Sequence, residues 1–157
     1  PKESTIPTRL RMGINSTNVW TTIGKELEKE GVLQYFDSQI SIEMLREIHG
    51  HGDGNALNKP STVSIAWMLY HLGTAGNNTM HVGDTRADLA SSKNVLLPGA
   101  SPVNRKDLIV VGAAWGYEGR EFFEQGTTLE NGRHVHFDYI IDHPGDLVWL
   151  VKKHRQL

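Results

Sequence analysis

Apolar residues follow two rhythms along this chain. Short consecutive runs, suited to buried strands, alternate with stretches in which apolar residues recur every three or four positions, as on one face of a helix. Residues 10–15 (LRMGIN) read as a short strand. Ser16, Thr17 and Asn18 follow, a cluster suited to capping a helix. Val19, Trp20, Ile23 and Leu27 come next at helical spacing, with Glu and Lys on the other face and Gly31 as a natural stop. Residues 35–42 read as a second, shorter strand, and the hydrophilic, glycine-punctuated residues 46–58 (REIHGHGDGNALN) as a loop. Lys59-Pro60-Ser61 opens a second helix, with Pro near its first turn. Val63, Ala66, Trp67, Tyr70 and Leu72 make its apolar side, and Gly73 stops it.

The second half repeats the alternation. Residues 79–83 (TMHVG) form a buried-type strand, followed by a helix from about Arg86 to Ser92. Residues 95–107 are loop-like and carry two prolines. Residues 108–114 (LIVVGAA) are the clearest buried strand, and residues 137–141 (FDYII) the last one. Asp142-His143-Pro144 starts a terminal helix bearing Leu147, Val148, Leu150 and Val151. The implied order is β-α-β-loop-α-β-α-loop-β-(α)-β-α. It predicts an α/β domain with a Rossmann-like, mostly parallel sheet flanked by helices. In such sheets ligands sit beyond the carboxyl ends of the strands. Ser16, Asp84 and the loop after residues 108–114 therefore fall on one rim, with Lys59 in reach from a helix start.

Composition narrows the function classes. The 157 residues suit one domain over 1–157, either complete or the C-terminal part of a longer protein, since the chain begins at Pro1 without Met. A net charge of −2 with neutral histidines lacks the basic surplus of a nucleic-acid footprint. The short basic tail Lys152, Lys153, His154 and Arg155 reads as a solvated helix end. Without cysteine there is no disulfide scaffold, thiolate metal site or cysteine nucleophile. No apolar run approaches the ~20 residues that span a bilayer. These features lead to the expectation of a cytoplasmic protein without membrane or nucleic-acid partners.

The strongest chemical signal is HVGDTRADL, residues 81–89. Gly83 allows a tight turn at the strand end. Asp84 would then project into the ligand crevice, with Asp88 one helical turn on. Two carboxylates so placed suit a hard cation such as Mg²⁺ shared with a phosphate. The same residues also suit a plain helix start, with Asp84 as N-cap and Asp88 facing the dipole. On this motif alone both readings stand. Lys59 could stabilise a phosphate's charge or be a solvated surface charge. Ser16-Thr17 could offer hydroxyls and free N–H groups to an anion or simply cap a helix. The pairs His49/His51 and His134/His136 lack further patterned ligands for zinc. The glycines at 112, 116 and 119 make no dinucleotide fingerprint. Trp115-Gly116-Tyr117 is either an aromatic loop beside the crevice or ordinary loop packing.

A hydroxyl after a strand, then Lys-Pro, then a strand ending in GDxxxD resembles the second, third and fourth motifs of the haloacid dehalogenase superfamily. YFDSQI, VGAAWGYEG and DYIID-HPGDL make the chain similar to its phosphoglycolate-phosphatase-like members over about residues 10–151. The resemblance implies a Mg²⁺-dependent phosphatase-type core acting on a small phosphorylated molecule. It makes Ser16, or Thr17 one register on, the phosphate-binding hydroxyl. It makes Lys59 the catalytic and phosphate-neutralising lysine, Asp84 the metal ligand and Asp88 its supporting acid.

One part of the family pattern is missing. Residues 1–9 contain no Asp, so the first strand, with its DxD nucleophile and general acid, is not found, nor is the cap domain. Asp138 and Asp142 are spaced wrongly to replace it and read as strand-edge and helix-cap residues. That strand belongs mid-sheet, and its absence would strand its neighbours' ladder groups. The flanking strands could pair directly, residues 4–8 could fill in despite Pro7, or a homodimer or other strand-donating partner could supply the strand. Three readings follow: a phosphatase lineage incomplete as an isolated chain, a non-catalytic phosphate-, Mg²⁺- or protein-binding domain of the same fold, or an unrelated doubly wound domain whose GDTRAD only caps a helix. The third would be supported by Ser16, Lys59 and Asp84 lying far apart.

Overall fold

β1 (Gly13–Ser16) and β2 (Ser38–Ser41) pair in parallel, Gly13 opposite Ser38 and Ser16 opposite Ser41. Between them run α1 (Trp20–Lys29) and a single 3-10 turn at Leu33–Tyr35. The second strand is thus shorter than residues 35–42, because Ile42 already belongs to α2 (Ile42–His49). The computed structural model describes residues 9–50, 54–74, 78–95 and 108–155. Residues 4–8, His51 and nearly all of the expected 95–107 loop lie outside them.

Residues 46–49, expected in a loop, form the second half of α2. Ser41 Oγ accepts from Met44 N at 3.4 Å, Glu43 sits in the first turn, and Ile42 and Leu45 are buried. A cap and an apolar face outweigh the polar composition of that segment. Gly50, at φ 76°, ends the helix in a region that side chains avoid.

α3 spans Val63–Leu72, starting four residues after Lys59 rather than at it. Its apolar side also differs from expectation. Ser64, Ile65, Met68 and Leu69 are buried, while Ala66 and Tyr70 are exposed. The cause is that α3 packs in two directions. Met68 joins Ile40, Ile42 and Leu45 against the first sheet. Ile65 and Leu69 join Leu89, Leu108, Val110 and Phe123 against the second. Each fully buried aliphatic or aromatic side chain of this kind contributes roughly 1.5–3 kcal/mol.

The second sheet has the order β3 (Met80–Gly83), β4 (Ile109–Ala113), β7 (Tyr139–Ile141), all parallel. Gly83 lies opposite Gly112, and Ala113 opposite Ile141. α4 (Arg86–Asn94) follows β3, and α5 (Arg120–Gln125) follows β4. A small antiparallel hairpin, β5 (Thr127–Thr128) with β6 (His134–Val135), precedes β7. α6 (Asp146–Arg155) closes the described chain. Val110 and Val111, on opposite faces of β4, are both fully buried, as a central strand covered on both sides requires. The architecture is mixed α/β, with parallel sheets flanked by helices.

Asp142 does not cap the last helix. It pairs with Arg120, which lies 2.8 Å away, and Asp146 Oδ2 takes the His143 N–H instead. Asp138 accepts from Val110 N at 2.7 Å and from buried Lys93 at 2.8 Å, tying α4 to the mouth of β7.

Among the described residues the two parallel sheets do not join, and β1 and β3 are each paired on one side only. Met12 O accepts from Asp37 N on the β2 side. Strand alternation therefore turns the Asn15 carbonyl the other way. Thr79 O accepts from Ile109 N, which turns the Met80 and Val82 backbone groups away from β4. Direct pairing of the flanking strands, one of the expected repairs, does not occur.

Candidate functional site

Three elements meet beyond the strand ends. The first is the β3–α4 junction. Thr85, in extended backbone, is the N-cap of α4, and its Oγ1 accepts from Asp88 N at 3.2 Å. Asp88 answers with one oxygen: Oδ2 accepts from Asp84 N at 3.2 Å, from Thr85 N at 3.1 Å and from Thr85 Oγ1 at 2.7 Å. This is a reciprocal capping box. The cap residue is therefore Thr85, not Asp84. A Cβ on Gly83 would lie 2.4 Å from Asp88 Cβ, so only glycine lets the helix start so close beneath the strand tip.

The second element is the turn before α3. The Lys59–Pro60 bond is cis. Lys59 Nζ lies 2.6 Å from Asp88 Oδ1, and both side chains are nearly buried. The same ammonium donates to the carbonyl of Asn15 on β1 at 3.1 Å. Lys59 thus spans the space between the two sheets. His81 backs the pair, with Nε2 3.9 Å from Asp88 Oδ1 and Nδ1 2.5 Å from Ser92 Oγ. Burial pushes the His81 imidazole down to about 4; Asp88 pulls it up and Lys59 reinforces the fall, so it is neutral at pH 7. Burial raises the Asp88 carboxyl, but the Lys59 ammonium above all, with His81 and the Lys59 and Thr85 hydrogen bonds, outweighs it and holds it below the usual carboxylate range.

The third element is the loop after β4. Tyr117 N donates to Asp84 Oδ2 at 3.2 Å, and Glu118 N donates to the Asp84 carbonyl at 3.2 Å. A Cβ on Gly116 would stand 2.2 Å from Asp84 Cβ. Glu118 Oε2 accepts from Arg86 N at 2.8 Å, closing the loop onto the first turn of α4. Asp84 is exposed, and its other oxygen has no partner among the described residues. Tyr117 and Trp115 stand exposed beside it.

Ser16, Thr17 and Lys59 line one small cavity. The hydroxyl cluster does not cap α1. Ser16 Oγ accepts from Asn18 N, the N-cap position is Val19, and no side chain of the cap residue bonds there. The Trp20 N–H instead donates to Glu43 Oε2 of α2 at 2.7 Å. A carboxylate of the chain itself thus takes the place where an anion was expected.

The structure therefore joins Lys59 to Asp88 and to the residue before Ser16, and brings the Asp84 backbone onto Asp88. Asn15 and Glu43 carried no chemical signal in the sequence. His81 lies in the HVGDTRADL motif and Tyr117 and Glu118 in the VGAAWGYEG stretch, but none of the three was assigned these contacts. Among the described residues, no group of three His, Cys, Asp or Glu side chains could hold a metal ion. His134 has both ring nitrogens engaged, by Thr128 Oγ1 and by the Gln125 carbonyl. No described helix is long and apolar enough to cross a membrane. No protein-family model and no curated protein matches the chain.

Proposed function

We propose that the chain is a phosphatase-type domain of the haloacid dehalogenase superfamily, similar to its phosphoglycolate-phosphatase-like members. In this reading it binds a small phosphorylated molecule together with Mg²⁺ and is incomplete for catalysis in isolation. One observation carries the reading. Lys59, held at 2.6 Å from Asp88 and at 3.1 Å from the Asn15 carbonyl, draws three sequence-distant motifs together at the strand ends.

Each residue then has a role that its surroundings allow. Mg²⁺ keeps several waters and takes one or two protein carboxylates beside substrate phosphate. The exposed Asp84 carboxylate, with one oxygen unpartnered, fits as such a ligand. Both oxygens of Asp88 are engaged, so Asp88 acts by holding Lys59 and the β3 tip. Bound Mg²⁺ would supply charge neutralisation to the phosphate. Lys59 adds a fixed ammonium, and Ser16 or Thr17 adds a hydroxyl donor. The attacking carboxylate would come from an extended segment between β1 and β3, in a second copy or another strand-donating partner.

A non-catalytic binding domain of the same fold is the second reading. It is favoured by the site offering a metal one Asp84 oxygen without a partner among the described residues. Both readings meet one experiment: Mg²⁺-dependent hydrolysis of a generic aryl phosphate by the parent and by Asp84→Ala, with melting temperatures taken with and without Mg²⁺ and inorganic phosphate. Activity lost in the variant supports the enzyme. Stabilisation of the parent alone, without turnover, supports the binding domain. Neither activity nor stabilisation sinks both.

A further inference from the structure

Among the buried side-chain atoms without a hydrogen-bond partner in the described residues, three belong to residues around one cavity: Asn15 Nδ2, Asn58 Oδ1 and Ser64 Oγ. They come from three elements, namely β1, the turn before Lys59 and the first turn of α3. Ser64 is almost wholly buried. Buried polar groups in folded proteins are nearly always satisfied. Three orphans on residues that line one space therefore call for an occupant. The cavity measures about 10 Å³, which is at the lower limit for a single water and excludes a phosphate.

We propose that this cavity is a binding site for one internal water molecule. The chemistry of the lining selects it. An amide N–H, an amide oxygen and a hydroxyl require an occupant that both donates and accepts, as water does. If the Asn15 amide were turned over, the water would donate to it rather than accept from it. A monovalent cation is disfavoured because the Lys59 ammonium borders the same space. Ile42, Leu45 and Leu57 supply apolar walls that hold the molecule in place. The water ties the turn carrying Lys59 to the end of β1, and so sets the separation between Lys59 and Ser16. The proposal stands on these orphaned atoms and does not depend on the phosphatase reading.

A high-resolution crystal structure of the parent tests it directly. The expected result is one isolated density peak within about 3 Å of all three atoms. A collapsed cavity with direct bonds among the three side chains, or an occupant other than water, overturns the proposal. Melting temperatures test it independently. Ser64→Ala leaves the water with one partner fewer and is expected to melt about 2–4 °C lower. Ser64→Val puts a methyl group into the water's place and is expected to melt at least as far below the parent. A Ser64→Val variant that melts at or above the parent temperature overturns the proposal.

Discussion

Lys59 Nζ and Asp88 Oδ1 lie 2.6 Å apart, although one residue sits in a turn before α3 and the other in the first turn of α4. This pair sits between the two parallel sheets, where no strand joins them among the described residues. Its side chains are 12% and 5% exposed, so solvent screens it little. A lone charge left there is costly. Lys59→Met is expected to destabilise by about 3–5 kcal/mol, and Asp88→Asn similarly, because each strands its partner's charge. The double variant is expected to lose much less than the sum. Denaturant midpoints for the parent, both single variants and the double variant measure this. Additive losses would mean that the two groups do not depend on each other.

His81 should make stability depend on pH. Its folded value, about 4, lies below the ordinary 6.5. Between these values the unfolded chain takes up a proton that the folded protein refuses. Stability therefore falls as the pH drops from about 6.5 to about 4, by on the order of 3 kcal/mol in total. Asp88 acts lower. Its folded carboxyl is held below 3.8, so its contribution is present above that pH and is lost as the pH falls through the depressed value. Proton NMR of the imidazoles, without added divalent cation, is the direct check. The His81 ring should stay neutral down to about pH 4, and a midpoint near 6.5 would contradict the buried placement.

Two glycines are expected to be irreplaceable for reasons of space. A methyl group at Gly83 would meet Asp88 Cβ at 2.4 Å, and one at Gly116 would meet Asp84 Cβ at 2.2 Å. In each case the obstacle is the root of a side chain, which cannot swing aside. Gly83→Ala and Gly116→Ala should each cost at least about 1–3 kcal/mol, the usual range for overpacking. Gly132→Ala is a useful contrast, because no atom lies within 4 Å and only its positive φ resists. Urea unfolding of the three variants separates lack of space from backbone strain. Equal losses would mean that crowding at Gly83 and Gly116 is relieved by movement of the helix or loop.

The contrast between local and distant contacts also explains what could be read from the chain. The strand at residues 109–113 and the helix starting at Arg86 were legible because their signals are contiguous: an apolar run, and a polar helix start directly after Gly83. Lys59 was assigned to the start of a helix that begins only at Val63. α2 was misread because its apolar anchors, Ile42 and Leu45, lie at the border of a polar, glycine-rich stretch. The buried side of α3 was rotated because the helix serves two cores, and one stripe cannot describe two directions. Thr85 takes the cap although the helix starts at Arg86 as expected, because the N-cap is the residue directly before the first helical one and the Thr85 hydroxyl accepts from Asp88 N. Glu43 at the start of α1 had no local signal, since its partner Trp20 lies on another element.

That last contact leads to a prediction about anion binding. Trp20 N is one of the donors that a helix start leaves unsatisfied, and Glu43 Oε2 fills it at 2.7 Å. While the carboxylate is there, it competes with any anion approaching α1 and repels it by charge. Glu43→Gln keeps an acceptor oxygen but removes the charge, and Glu43→Ala removes both. The Ala variant should lose about 1 kcal/mol from the orphaned N–H, and the Gln variant less. Inorganic phosphate should then raise the melting temperature of both variants more than that of the parent, because binding to the folded state stabilises it by mass action. Scanning fluorimetry over a phosphate series at constant ionic strength measures the difference. If the parent gains as much as the variants, phosphate binds away from the α1 start, and Glu43 serves only to cap that helix.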